Sequence, residues 1–84
     1  MNITWTPQAW EDYEYWLKTD LDKLEKIHDL IKDCKRHPFN GLGKPEPLKG
    51  NLKGYWSRRI DQEHRFVYKV SAGYLILVQC RFHY

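Results

Sequence analysis

The apolar residues of this chain change period once along its length, and that change constrains the fold more than any other feature. Up to Cys34 they recur every three or four residues, and from Tyr55 onward they alternate. The first spacing is that of a helix with one buried stripe. The second is that of a strand with one buried face. Helices followed by strands within 84 residues leave room for a single domain, residues 1–84, built of two layers.

The local signals place the elements. Asn2–Trp5 reads as a short strand. Thr6 then serves as an N-cap with Pro7 at the first helical position. Ala9, Trp10, Tyr13, Trp16 and Leu17 mark the buried stripe of the first helix, with Glu11, Asp12 and Glu14 opposite them and in the turns the helix dipole favours. Asp20 is a second N-cap. Leu21, Leu24, Ile27, Ile31 and Cys34 follow as the stripe of a second helix, which closes on Lys35-Arg36-His37 before Pro38. Residues 39–54 hold four of the five glycines together with Pro45 and Pro47, so they form an ordered loop of the length that usually carries function.

Three strands are expected after the loop: Tyr55–Ile60, Arg65–Val70 and Tyr74–Phe82. Alternation assigns Trp56 and Ile60, then Phe66, Tyr68 and Val70, then Tyr74, Ile76, Val78, Cys80 and Phe82 to the face under the helices. The expected fold is α+β, in the order β-α-α-β-β-β, with two N-terminal helices on one face of a mostly antiparallel sheet. Arg59, Arg65, Arg81 and His83 then fall on the other face. A three-residue turn between the first two of these strands sets Arg59 opposite Arg65, a pairing of like charges that costs stability unless an anion sits between them.

Several classes are excluded by content. Hydrophobic residues make up 42% of the chain, too many for intrinsic disorder. The longest apolar run, Tyr74–Val78, is far short of the roughly 20 residues that span a bilayer. No secretory signal is expected. Cys34 and Cys80 sit at apolar-periodic positions and read as buried thiols of a reducing compartment. No cysteine or histidine spacing suggests a structural zinc.

Charge is divided along the chain. Residues 1–34 carry four lysines against eight acids, a net of −4. Residues 35–84 carry ten Lys and Arg against three acids, a net of +7. The second part is suited to a polyanion. RNA cleavage without a metal requires a base for the 2′-hydroxyl, an acid for the leaving 5′-oxygen and a cation for the phosphorane-like transition state. Glu46 is the acid braced between Pro45 and Pro47, with Lys44 and Lys49 nearby. His83 lies in the terminal Arg81-Phe82-His83-Tyr84 and carries a proton near neutral pH. His64 is an alternative titrating group on the Phe66 side of its strand. Tyr55 and Tyr84 are candidates for stacking on a base.

Four motifs then coincide in order: Gly43-Lys44-Pro45-Glu46-Pro47-Leu48-Lys49, Tyr55-Trp56-Ser57-Arg58-Arg59-Ile60, Glu63-His64-Arg65-Phe66-Val67-Tyr68 and Cys80-Arg81-Phe82-His83-Tyr84. Together they resemble the YoeB toxins of the RelE/ParE superfamily, which act in bacterial type II toxin–antitoxin systems. The resemblance implies a cytoplasmic endoribonuclease that cleaves mRNA in the ribosomal A site without a cofactor. It implies Glu46 as general base, Arg65 as transition-state cation, His83 as general acid, and Lys49, Arg59 and Tyr84 as substrate contacts. Glu63 is a weaker match, for orienting a neighbour. It also implies a YefM-type antitoxin as partner and self-association as a homodimer. Two other functions remain open on the residues alone: a ParE-like gyrase poison, and a non-catalytic RNA- or ribosome-binding module.

Overall fold

The computed structural model describes residues 1–84. Its elements are β1 (Asn2–Trp5), α1 (Pro7–Thr19), α2 (Leu21–Arg36), β2 (Glu46–Pro47), β3 (Trp56–Arg59), β4 (Arg65–Ser71) and β5 (Tyr74–Gln79). The strands form one sheet in the order β1-β5-β4-β3-β2. β1 runs parallel to β5, and every other neighbouring pair is antiparallel. The helices cover one face, so the α+β fold expected from the two periods is the one formed.

Both caps act as the sequence indicates. The Thr6 hydroxyl accepts the Ala9 amide at 3.2 Å, and Asp20 accepts those of Asp22 and Lys23. Each satisfies amides that a helix start leaves without partners. The core joins Ala9 and Trp16 of α1 and Leu24, Ile27, Leu30, Ile31 and Cys34 of α2 to Phe66, Tyr68, Leu75, Leu77 and Cys80 of the sheet side. Full burial of a side chain such as Ile27 or Phe66 contributes about 1.5–3 kcal/mol.

The residues of β5 depart from the expected phase. Leu75 and Leu77 are buried under the helices, whereas Tyr74 is exposed. The cause is a β-bulge. Val67 pairs with Gln79 and Tyr68 with Leu77, which leaves Val78 without an opposite residue. An extra residue on one strand inverts the alternation across it. Cys80, beyond the bulge, is therefore buried as expected while the residues before it are not. Arg81 is also misplaced by simple alternation. The regular strand stops at Gln79, and the Arg81 guanidinium lies over the Tyr15 ring of α1, 3.4 Å from its centre. It does not join Arg59 and Arg65.

Three further corrections concern the helices and the loop. Trp10, Leu17 and Leu21 are largely exposed; Trp10 stacks on Tyr13 beside Trp5 in a surface aromatic cluster. Asp12, expected on the outer side of α1, is 2% exposed. The segment from 39 to 54 contains the two-residue strand β2, which pairs Glu46 with Ser57 and Pro47 with Trp56.

That segment is held by Arg58, which is fully buried. Its guanidinium donates to the carbonyls of His37, Asn40 and Leu42, to Asp33 at 2.6 Å and to the Tyr68 hydroxyl. Asp33 in turn accepts the Leu42 amide at 2.9 Å. The Arg58 hydrogen bond and the Leu42 amide hold the Asp33 carboxyl below the usual range. Gly43 is required where the loop meets the sheet edge. It has φ +79°, and a Cβ there would lie 2.9 Å from Leu30 Cδ2 and 3.0 Å from the Arg59 carbonyl.

Candidate active site

The sheet face away from the helices brings together three segments. β2 contributes Glu46, the β3–β4 hairpin contributes Arg59 and Arg65, and the chain end contributes His83 and Tyr84. The hairpin turn has the three-residue closure expected: the Ile60 amide donates to the His64 carbonyl at 3.0 Å, and Arg59 pairs with Arg65 across the ladder. Arg65 is 8% exposed. Its Nη1 donates to the carbonyls of Asp61, Gln62 and His64, at 2.9, 3.2 and 3.2 Å. These bonds fix the guanidinium against the turn. Arg59 is exposed and unpaired with any carboxylate.

The terminal segment folds back over this face. Phe82 takes a positive φ of 66°, and its carbonyl accepts the Arg65 amide at 2.9 Å. The Gln79 side-chain amide donates to the Arg81 carbonyl at 2.8 Å. The turn delivers Tyr84 to Glu46, where its hydroxyl donates to Oε1 at 2.9 Å. His83 stacks on the Tyr84 ring with 4.6 Å between centres. Glu46, His83 and Tyr84 all remain accessible to solvent. Lys49 precedes a short 3₁₀ turn over Gly50–Leu52 and is exposed. Glu63 faces the His64 ring, 3.5 Å from Nε2.

Trp16 and Asp12, absent from the candidates read in the sequence, and His64, read there only as an alternative titrating group, hold this terminal segment from the helical layer and the hairpin. Trp16 Nε1 donates to the Cys80 carbonyl at 2.7 Å. The Asp12 carboxylate accepts the Cys80 amide at 3.1 Å. The Phe82 amide donates to His64 Nδ1 at 2.8 Å, while the His64 ring packs edge-on against Trp16. Burial pushes the Asp12 carboxyl above its usual range, against the opposing pull of the Cys80 amide, Gln8 and Arg81. Burial, with Asp12 adding to it, pushes the Cys80 thiol up to about 12. A signal for Asp12 was present: Ala9, Asp12 and Trp16 share one helix face. Arg58 was likewise legible between Trp56 and Ile60 in the buried row of β3.

The sequence pattern of the "YoeB-like toxin of bacterial type II toxin-antitoxin system" family matches residues 5–84. The chain belongs to the YoeB family of toxins. Toxin YoeB of Escherichia coli K12 is 54% identical over 84 residues, covering the whole of both chains. Among solved structures, a YoeB/ParE toxin from Agrobacterium tumefaciens superposes with a TM-score of 0.98 at 60% identity, again over the whole of both chains. The Staphylococcus aureus YoeB–YefM complex contains a chain that superposes with a TM-score of 0.92 at 46% identity, over 100% of this chain and 98% of that one. A YoeB dimer from S. aureus also superposes, with a TM-score of 0.93 at 47% identity, over 100% of this chain and 98% of that one.

Proposed function

We propose that this YoeB-family chain is a cytoplasmic endoribonuclease that cuts mRNA in the ribosomal A site and so arrests translation. One observation carries the reading: the Tyr84 hydroxyl is bonded to Glu46 beside the Arg59–Arg65 pair. Glu46 pairs with Ser57, two residues before Arg59 on the same strand face, and the stacked His83–Tyr84 pair reaches Glu46, which supports a base, cations and an acid drawn from segments far apart in sequence.

In the proposed reaction Glu46 removes the 2′-hydroxyl proton and the freed oxygen attacks the adjacent phosphorus. The bond from phosphorus to the 5′-oxygen breaks, and His83 gives that oxygen a proton. Arg65, already fixed by the turn carbonyls, stabilises the charge of the pentacovalent state without reorganising. Arg59 and Lys49 contact neighbouring phosphates, and Tyr84 positions the base and Glu46. The products are a 2′,3′-cyclic phosphate and a free 5′-hydroxyl. The chemistry runs on these side chains and takes no cofactor. The S. aureus relatives support a YefM-type antitoxin and a second copy of the chain as partners.

The deciding experiment is primer extension on a translated message, with and without ribosomes, comparing the wild type with Glu46→Ala and His83→Gln. Ribosome-dependent stops that vanish in both variants, with cleaved fragments carrying cyclic phosphate ends, are expected. Products with free 3′-hydroxyls would overturn the mechanism. Inhibition of purified gyrase without RNA cleavage would favour the gyrase-poison reading instead.

A further inference from the structure

Arg59 borders a second cleft, on the edge of the sheet rather than its open face. The cleft has a volume of about 330 Å³ and is lined by Lys26, Lys44, Arg59, Asp61 and Gln62. Its cations come from three separate places: Lys26 from α2, Lys44 from the loop ahead of β2, and Arg59 from the end of β3. Lys44 is set between Gly43 and Pro45 with a positive φ of 52°. The Arg59 amide is tied to the Gly43 carbonyl at 2.6 Å. The two neighbouring cations are therefore mounted on mutually bonded backbone.

None of the three is neutralised by the protein. The ion pairs of the chain are Lys23–Asp61, Arg58–Asp33 and His64–Glu63. Asp61 is the one carboxylate in the cleft, and it is already satisfied. It takes the Lys23 ammonium at 3.0 Å and the amides of Glu63 and His64 at 2.8 and 2.6 Å. Burial opposes its ionisation, but the His64 amide and Lys23 outweigh it and hold its carboxyl below the usual range. Three unpaired cations around a carboxylate that Lys23 already balances raise the local potential for an anion.

We infer that this cleft is a phosphate-binding subsite for an RNA strand, joined to the candidate active site through Arg59. The inference rests on the nuclease reading for its ligand. The lining favours a phosphodiester over an acidic peptide. Its one apolar residue, Ile60, is 5% exposed. A peptide interface needs pockets for aromatic or aliphatic anchors, which this cleft does not offer. A nucleic-acid backbone needs cations and little else. A strand crossing the Glu46–Arg65 centre reaches Arg59 and continues over the sheet edge to Lys44 and Lys26. The subsite adds affinity that is independent of base sequence.

The test measures binding apart from cleavage. A short 2′-O-methyl RNA, which lacks the attacking hydroxyl, is titrated at several salt concentrations with the wild type, with Lys26→Ala/Lys44→Ala, and with the control Lys18→Ala/Lys35→Ala. Loss of two phosphate contacts should reduce the slope of log affinity against log salt by about 1 to 1.5. The weakening should be uniform across RNA sequences, with the control unchanged. An unchanged slope, or no salt-dependent RNA binding by the wild type, overturns the subsite. An unchanged slope together with weakened capture of a YefM-type antitoxin assigns the cleft to protein and overturns it equally. A reduced slope in a protein that cuts no translated message leaves the subsite standing and removes the nuclease reading.

Discussion

The Tyr84 hydroxyl donates to Glu46 Oε1 at 2.9 Å, joining the last residue of the chain to the proline-braced carboxylate of β2. Both side chains are exposed, so the bond adds little to stability and acts chiefly on direction. Tyr84→Phe should fold as the wild type does and lose roughly 2- to 10-fold in cleavage, the equivalent of one neutral hydrogen bond. Glu46→Ala and His83→Gln remove the proposed base and acid and should each lose about 10²- to 10⁴-fold. Their urea midpoints should not move, because neither side chain is buried. Arg65→Ala is a poorer test. It strips three turn carbonyls of their donor and should lower stability along with activity, so Arg65→Lys separates the two effects better. Cleavage rates and urea titrations on one set of preparations check all five variants.

The terminal segment is held as much by α1 and the hairpin as by its own strand. Asp12→Ala leaves the buried Cys80 amide without its acceptor and should cost about 1–3 kcal/mol. His64→Ala removes the acceptor for the Phe82 amide and the edge-on packing against Trp16. It should lower kcat more than it raises KM, since the phosphate-contacting cations are untouched while His83 and Tyr84 lose their placement. Equal loss in kcat and stability across a temperature series would reduce His64 to a structural role.

What could be read in advance followed local rules. Thr6 and Asp20 announced both helices because capping is a matter of neighbouring atoms. The pairing of Arg59 with Arg65 followed from a short turn. The phase of β5 did not, because the bulge at Val78 arises from the fit of β5 to β4 and leaves no mark on composition. Glu46 was legible as a braced acid, but its bond to Tyr84 required the fold that brings residues 38 positions apart into contact. Arg58 was passed over because an arginine in a strand reads first as surface. Its burial depends on five acceptors supplied by α2, the loop and β4.

Those acceptors make Arg58 the most sensitive position outside the candidate site. Removing a fully buried charge with this many partners should cost about 3–5 kcal/mol, a large part of the 5–15 kcal/mol typical of a whole domain. Arg58→Ala should be largely unfolded by circular dichroism at 37 °C. Arg58→Lys should recover little, since one ammonium cannot reproduce the planar fork that serves His37, Asn40, Leu42 and Asp33 together. A lysine variant with a wild-type urea midpoint would refute this account of the loop.

The pH dependence of stability should reflect carboxylates that pull in opposite directions. Asp33 is held below its ordinary 3.8 by Arg58, then by the Leu42 amide. Asp61 is held below it because the His64 amide and Lys23 outweigh its burial. The unfolded chain therefore binds protons more readily at both. Their contribution is fully present above 3.8 and is lost as pH falls through the lowered folded values. Asp12 behaves in the reverse way. Burial raises its folded value above 3.8, so the folded chain takes up the proton first and gains stability as pH falls from that value towards 3.8. The urea midpoint should accordingly rise on mild acidification and then fall below pH 3.8. Asp33→Asn should flatten the acid fall. Asp12→Asn, which keeps an oxygen for the Cys80 amide, should abolish the rise. A midpoint that declines steadily from neutrality in the wild type, unaltered by either substitution, would show that these three carboxylates do not set the profile.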